Sequence, residues 1–132
     1  MSENILELND VSVKYRRPDR RTITAVSHVN LTLAKGEILG LVGESGCGKS
    51  TLGKAAVGIL PTATGSITFE GQPVTPLSRT SRPVHLRHLQ LIFQDPYSSL
   101  NPRRKIGDQL IDGLLNLGVE KEKARESSAQ LL

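Results

Sequence analysis

The chain has one cysteine, Cys47, no tryptophan, and only two tyrosines and two phenylalanines in 132 residues. A single cysteine excludes an internal disulfide and a cysteine-built zinc site. So few aromatics leave no stacking platform for single-stranded nucleic acid. No apolar run approaches the roughly 20 residues that span a bilayer. The opening Met1-Ser2-Glu3-Asn4 lacks the basic-then-apolar layout of a secretory leader. These absences point to a cytoplasmic chain. What is present, 37% hydrophobic and 23% charged residues, suits a folded domain, and the length gives room for one domain and one core.

The net charge is +4, and the basic residues gather in loops: Arg16, Arg17, Arg20 and Arg21; Arg79, Arg82 and Arg87; Arg103, Arg104 and Lys105. Without aromatic partners these clusters read as a solvated surface, or one facing anionic lipid or a protein partner, with no nucleic acid expected. His28, His85 and His88 are scattered without ligand spacing and read as surface or strand residues.

Alternation predicts the first strands. Leu6 and Leu8, then Val11, Val13 and Tyr15, alternate with polar residues over 4–15, with Asn9-Asp10 as a break. Arg16 to Arg21 form a charged turn, and 22–33 alternates again with Val29, Leu31 and Leu33 on one face. Residues 37–42 are nearly all apolar, as in a strand buried on both faces. A helix is expected from Lys49 to about Gly58, and a short strand from Ser66 to Glu70 with Ile67 and Phe69 inward. Gly71-Gln72-Pro73 reads as a turn, 74–85 as irregular, and Leu86 to Phe93 as a second largely apolar strand. Asp95 to Pro102 is a loop. Ile106, Leu110, Ile111, Leu114, Leu115 and Leu117 share one helical face, and Gly118 suits a helix stop. Glu120 onward is a second, charged helix with Glu122 and Arg125 one turn apart.

Residues 43–51 read Gly43-Glu44-Ser45-Gly46-Cys47-Gly48-Lys49-Ser50-Thr51, a match to G-x-x-x-x-G-K-[ST]. Phosphates concentrate negative charge, and successive backbone N–H groups can wrap that charge where side chains stay clear. The glycines permit the close approach and the unusual dihedrals. The following helix aims its positive end at the anion. Lys49 adds a full charge toward the β and γ phosphates, and the Ser50 hydroxyl can ligate a bridging Mg²⁺. A chance match in such a chain has odds of roughly one in two hundred at ordinary residue frequencies. The position between an apolar run and a predicted helix lowers those odds further. The ligand read from this loop is a nucleoside triphosphate with magnesium.

The stretch "EILGLVGESGCGKSTLGKAAVGILPTATGSITFEGQPV" resembles the ATP-binding subunit of an ABC transporter. The stretch "LQLIFQDPYSSLNPR" is similar to the Q-loop region of subunits that serve dipeptide, oligopeptide and nickel importers. The resemblance runs from about Ile5 onward. It implies an α/β fold: an incomplete P-loop NTPase core of the ABC type with an N-terminal antiparallel β subdomain. The implied layout is β-subdomain strands at about 4–36 and 65–75, a phosphate-loop core at 37–60, a Q-loop at 86–104 and the start of a helical subdomain at 105–132. Tyr15 matches the aromatic that stacks on adenine, which makes the nucleotide ATP. Gln94 matches the Q-loop glutamine, whose side-chain oxygen approaches Mg²⁺ and the attacking water. Residues 95–104 would lie against a transmembrane permease subunit. Cys47 holds a position often filled by serine, at a helix start beside Lys49, where thiol reagents would reach it and bound ATP would shield it.

Other parts that the family uses for hydrolysis have no counterpart. No LSGGQ occurs, and no apolar strand ends in Asp-Glu. Leu91-Ile92-Phe93-Gln94-Asp95 mimics such a strand, but Gln94 interrupts it and Pro96 stands where the glutamate belongs. The chain therefore reads as the N-terminal portion of an ATP-binding subunit. Unpaired strand edges and open apolar surface are expected, with marginal stability and no hydrolysis by the chain alone. The implied partners are permease subunits and a second ABC ATPase subunit, identical or not, on the cytoplasmic side of the inner membrane. The alternatives are a non-catalytic nucleotide-binding remnant and an ABC-type ATPase without a transport role.

Overall fold

Two long strands form where apolar and polar residues alternate: β1, Asn4–Arg16, and β2, Thr22–Ala34. The structure, a computed structural model, describes residues 3–78 and 82–132. Met1, Ser2 and Arg79 lie outside the described residues. The chain divides into two units, one ending at Leu91 and the other formed by Ile92–Leu132.

In the first unit, β1 pairs antiparallel with β2 on one edge and with β3, Thr64–Phe69, on the other. A two-residue strand, β4, Gln72–Pro73, adds to β3 where a turn alone was expected. The sheet order is β2-β1-β3-β4. The charged turn between β1 and β2 is closed by Arg17 N–H donating to Arg21 O at 2.8 Å and by Arg20 N–H donating to Arg17 O at 2.9 Å. One face of the sheet packs on helix α1, Lys49–Ala56. Leu8, Val11, Val13, Val26 and Ile67 from the sheet and Leu52 and Ala55 from the helix form the core. Burying each large aliphatic side chain there contributes roughly 1.5–3 kcal/mol. Helix α1 stops two residues short of the expected end, with Gly58 in the left-handed conformation.

Two expected strands do not form. Residues 37–42 have no ladder partner among the described residues, and Ile38 and Val42 are 98% and 95% exposed. A strand buried on both faces needs neighbours on both edges to take its N–H and C=O groups, and no described strand supplies them. Over 86–93 the structure has a 3₁₀ turn, Val84–Leu86, followed by irregular chain. Only Leu86 of that run is fully buried, and Ile92 is 96% exposed. The cause is the same: apolar side chains alone do not make a strand.

The second unit is a turn-rich segment followed by a helical hairpin, α2, Ile106–Asn116, and α3, Lys121–Leu131. Gly118 ends α2 as expected. It lies in the left-handed conformation, its N–H donates to Leu115 O, and Val119 N–H donates to Leu114 O. The apolar face of α2 is covered less than its pattern predicts. Ile111 is buried, while Ile106, Leu110, Leu115 and Leu117 are exposed. The charged helix α3 buries only Ala124, so it covers a narrow stripe. Arg125 reaches Asp108 of α2 at 3.5 Å, across the hairpin, and not along its own helix toward Glu122.

Candidate nucleotide site

The phosphate loop leads straight into α1. Gly48 is the N-cap residue of that helix at φ 101°, and no side chain caps the helix start. The first turn holds no acidic residue. Its N–H groups and the positive end of the helix therefore adjoin an exposed loop, 43–47, with no side chain bonded to the helix start. Glycine is required at position 48 for a second reason. A Cβ there would stand 2.5 Å from the carbonyl oxygen of Ala25 in β2. The sheet is thus pressed against the start of the helix.

Lys49 folds back over the loop. Its ammonium group donates to the carbonyl oxygens of Gly43 and Glu44, the latter at 2.7 Å, and lies 3.4 Å from Cys47 Sγ. Cys47 N–H closes the turn on Glu44 O at 3.2 Å. The charge of Lys49 is thereby held over the centre of the loop, on two neutral acceptors that an anion can outbid. Cys47 and Ser50 are exposed.

Tyr15 sits at the end of β1, 38% exposed. Its hydroxyl is 3.1 Å from Thr51 Oγ1 in the first turn of α1. The structure therefore brings Tyr15, the loop 43–48 and residues 49–51 together within the first unit. The contact of Tyr15 with Thr51, and the pressure of Ala25 on Gly48, were not legible in the motif, because both depend on strand register.

Gln94 belongs to the second unit, exposed, just before a turn whose backbone groups are bonded by side chains. Asp95 Oδ1 accepts from Tyr97 N–H at 3.0 Å, and Asp95 O accepts from the hydroxyls of Ser98 and Ser99. Gln109 of α2 then clamps the loop. Its Oε1 accepts from Asn101 N–H at 2.7 Å, and its Nε2 donates to Asn101 O and Arg104 O. Arg104 makes a two-pronged bond to Asp112, at 2.6 and 2.9 Å. That hydrogen bond is the main cause that holds the Asp112 carboxyl below its usual value. Sequence reading missed the Gln109 clamp; its one signal is an amide on the first turns of a helix that follows a loop of asparagine, proline and arginine.

Helix, glycine loop, lysine and antiparallel sheet together define a class. The family model described as ABC transporter matches residues 26–132, and the chain belongs to the ABC transporter family. More particularly, it is similar to the oligopeptide transport ATP-binding protein OppD of Salmonella typhimurium, 42% identical over 133 residues, covering 97% of this chain and 39% of that protein. It is also similar to the oligopeptide transport ATP-binding protein OppF of Bacillus subtilis, 43% identical over 117 residues, covering 86% of this chain and 37% of that protein. The chain thus spans under two fifths of the length of these curated relatives. Among solved structures, the dimeric ATP-binding cassette MJ0796 bound to ADP and Pi superposes with a TM-score of 0.75 at 20% identity, covering 95% of this chain and 54% of that one. That likeness speaks for the fold: the α/β, ABC-type P-loop core with an antiparallel β subdomain, present in part.

Proposed function

We propose that the chain forms the ATP-binding region of the energising subunit of a peptide importer, and that residues 43–51 hold Mg-ATP. One observation carries the reading. The uncapped, acid-free start of α1 opens onto an exposed glycine loop whose only cation, Lys49, rests on neutral carbonyls. Such a site suits an anion.

The residues take these roles. Backbone N–H groups of Gly43, Glu44, Ser45, Gly46, Cys47 and Gly48 wrap the phosphates, joined by those of Lys49, Ser50 and Thr51. Lys49 leaves Gly43 O and Glu44 O and turns to the β and γ phosphates. Tyr15 stacks on the adenine, a contact worth roughly 1–3 kcal/mol where bases stack on aromatics in nucleic-acid binders. The donors fit magnesium as well. Ser50 offers one hard oxygen at the exposed helix start, Gln94 a second by family likeness, and magnesium takes its other ligands from phosphate and water. When bound, it offsets the charge that develops on the phosphates. In the longer protein, Gln94 helps position the attacking water, and the clamped loop 95–104 docks on a permease subunit at the cytoplasmic face of the inner membrane. A second ATPase subunit completes the machine. No helix among the described residues is long and apolar enough to cross a membrane, which suits a peripheral place. The layout follows: β subdomain at about 4–36 and 65–75, phosphate-loop core at 37–60, Q-loop at 86–104 and helical subdomain from 105.

The names of the relatives favour peptides as the transported solute. Loss of the gene should slow uptake of labelled di- and oligopeptides, and a copy with Lys49→Ala should not restore it. Normal uptake in the deletion strain, or rescue by Lys49→Ala, would refute the importer reading. Cys47 gives a second test at the site itself. Saturating Mg-ATP should slow its labelling by thiol reagents, and equal rates with and without nucleotide would count against ATP binding at the loop.

A further inference from the structure

Strand β1 changes phase midway. Leu6 and Leu8 face the core, and so do Val11 and Val13. The change arises because Asn9 and Asp10 stand opposite a single residue of β2, Asn30, between the pairs Leu8–Leu31 and Val11–Val29. Strand β2 answers with its own extra residue. Ser27 and His28 stand opposite Ser12, between the pairs Val11–Val29 and Val13–Val26. Asp10 and His28 both take left-handed backbone conformations, at φ 53° and 50°. Residues other than glycine are uncommon there, aspartate and histidine less so than most, and their surroundings hold them in it.

The enforcement is visible. In each bulge, the single opposing residue accepts the displaced N–H: Asn30 Oδ1 from Asp10 N–H at 2.9 Å, and Ser12 Oγ from His28 N–H at 2.9 Å. The two bulged residues are then tied together, with His28 Nδ1–H donating to Asp10 Oδ1 at 2.7 Å. On the other edge of β1, Gly65 of β3 makes room, because a Cβ there would strike the carbonyl oxygens of Asn9 and Asp10.

The consequence reaches the nucleotide site. Side chains of a strand alternate faces, so one extra residue exchanges the faces of everything beyond it. Without the bulge at Asn9-Asp10, the face of Leu6 and Leu8 would continue through Asp10, Ser12 and Lys14, and Tyr15 would point away from α1. With it, Tyr15 follows Val11 and Val13 and reaches Thr51.

We propose that Asp10 and His28 are positioning residues for the nucleotide base: their mutual bond locks the paired bulges that turn Tyr15 onto the phosphate-loop helix. This rests on the ATP reading given above. The test is titration of the whole chain with Mg-ATP and with magnesium tripolyphosphate, which offers the phosphates without a base. Asp10→Gly keeps the left-handed backbone that glycine favours and removes the carboxylate. It should weaken Mg-ATP by roughly three- to tenfold, the scale of one lost hydrogen bond, and leave tripolyphosphate unchanged. Asp10→Asn keeps an acceptor for His28 and should bind Mg-ATP like the natural chain. Asp10→Gly added to Tyr15→Ala should cost nothing further. Equal loss for both ligands, no loss for Mg-ATP, or full additivity with Tyr15→Ala would overturn the inference while the ATP site stands. A natural chain that binds neither ligand would overturn the ATP reading and this inference with it.

Discussion

The antiparallel sheet and the segment 37–42 are both rich in aliphatic residues, and they end in opposite environments. Leu8, Val11 and Val13 are almost wholly buried, while Ile38 and Val42 are almost wholly exposed. The difference is pairing. Strand β1 has a partner on each edge and a helix over one face; the segment 37–42 has no partner strand among the described residues. Among these two, aliphatic side chains are buried where a paired sheet and a covering helix are present, and exposed where neither is. The turn 95–105 adds a third case. It has no ladder either, but Asp95, Asn101 and Gln109 take its backbone groups one by one.

The largest expected effect divides the two regions directly. Leu8→Ala should lower unfolding free energy by roughly 2–5 kcal/mol, the range for large core truncations. Ile38→Ala and Ile92→Ala should each stay within about 0.5 kcal/mol, as exposed substitutions do. Urea unfolding of the three variants decides it, and comparable losses at position 8 and position 38 would break the comparison. A smaller effect tests whether side chains replace a ladder at the turn. Gln109→Ala should speed amide exchange at Asn101 about tenfold, corresponding to a lost hydrogen bond of about 1.4 kcal/mol, and leave the sheet amides unchanged.

The smallest effect concerns pH. Arg104 holds Asp112 ionised to lower pH than its ordinary 3.8. A carboxyl with a depressed value in the folded chain contributes stability that is present above its unfolded value and lost as pH falls through the folded one. The contribution is thus constant from neutral pH down to about 4 and disappears below that. Both side chains are substantially exposed, so salt screens the pair. Carboxyl resonances should place the Asp112 midpoint below 3.8 in the natural chain and move it upward in Arg104→Ala.

How much of this was legible depends on the range of the interactions. The glycine loop is local, nine consecutive residues, and its place at the start of α1 is legible from those residues alone. So is the break at Asn9-Asp10, because the change from even to odd apolar positions is written in β1 itself. The stop at Gly118 is equally local. The run 37–42 has a strand's apolar residues but forms none, because a strand is defined by neighbours that its own residues do not encode. The same holds for Leu86 to Phe93. The Tyr15–Thr51 contact spans 36 positions and depends on where the strands bulge, so no spacing rule reveals it. Helical spacing offers Arg125 the partner Glu122, while the hairpin brings it to Asp108.

The central claim is that Lys49 and its loop bind the phosphates of Mg-ATP. Calorimetric titration of the natural chain and of Lys49→Ala tests it most directly. The account predicts one Mg-ATP per chain, with affinity falling roughly 10- to 100-fold in Lys49→Ala, the scale of lost hydrogen bonds to a charged group. Equal affinity in the two proteins, or no binding by the natural chain, would contradict it.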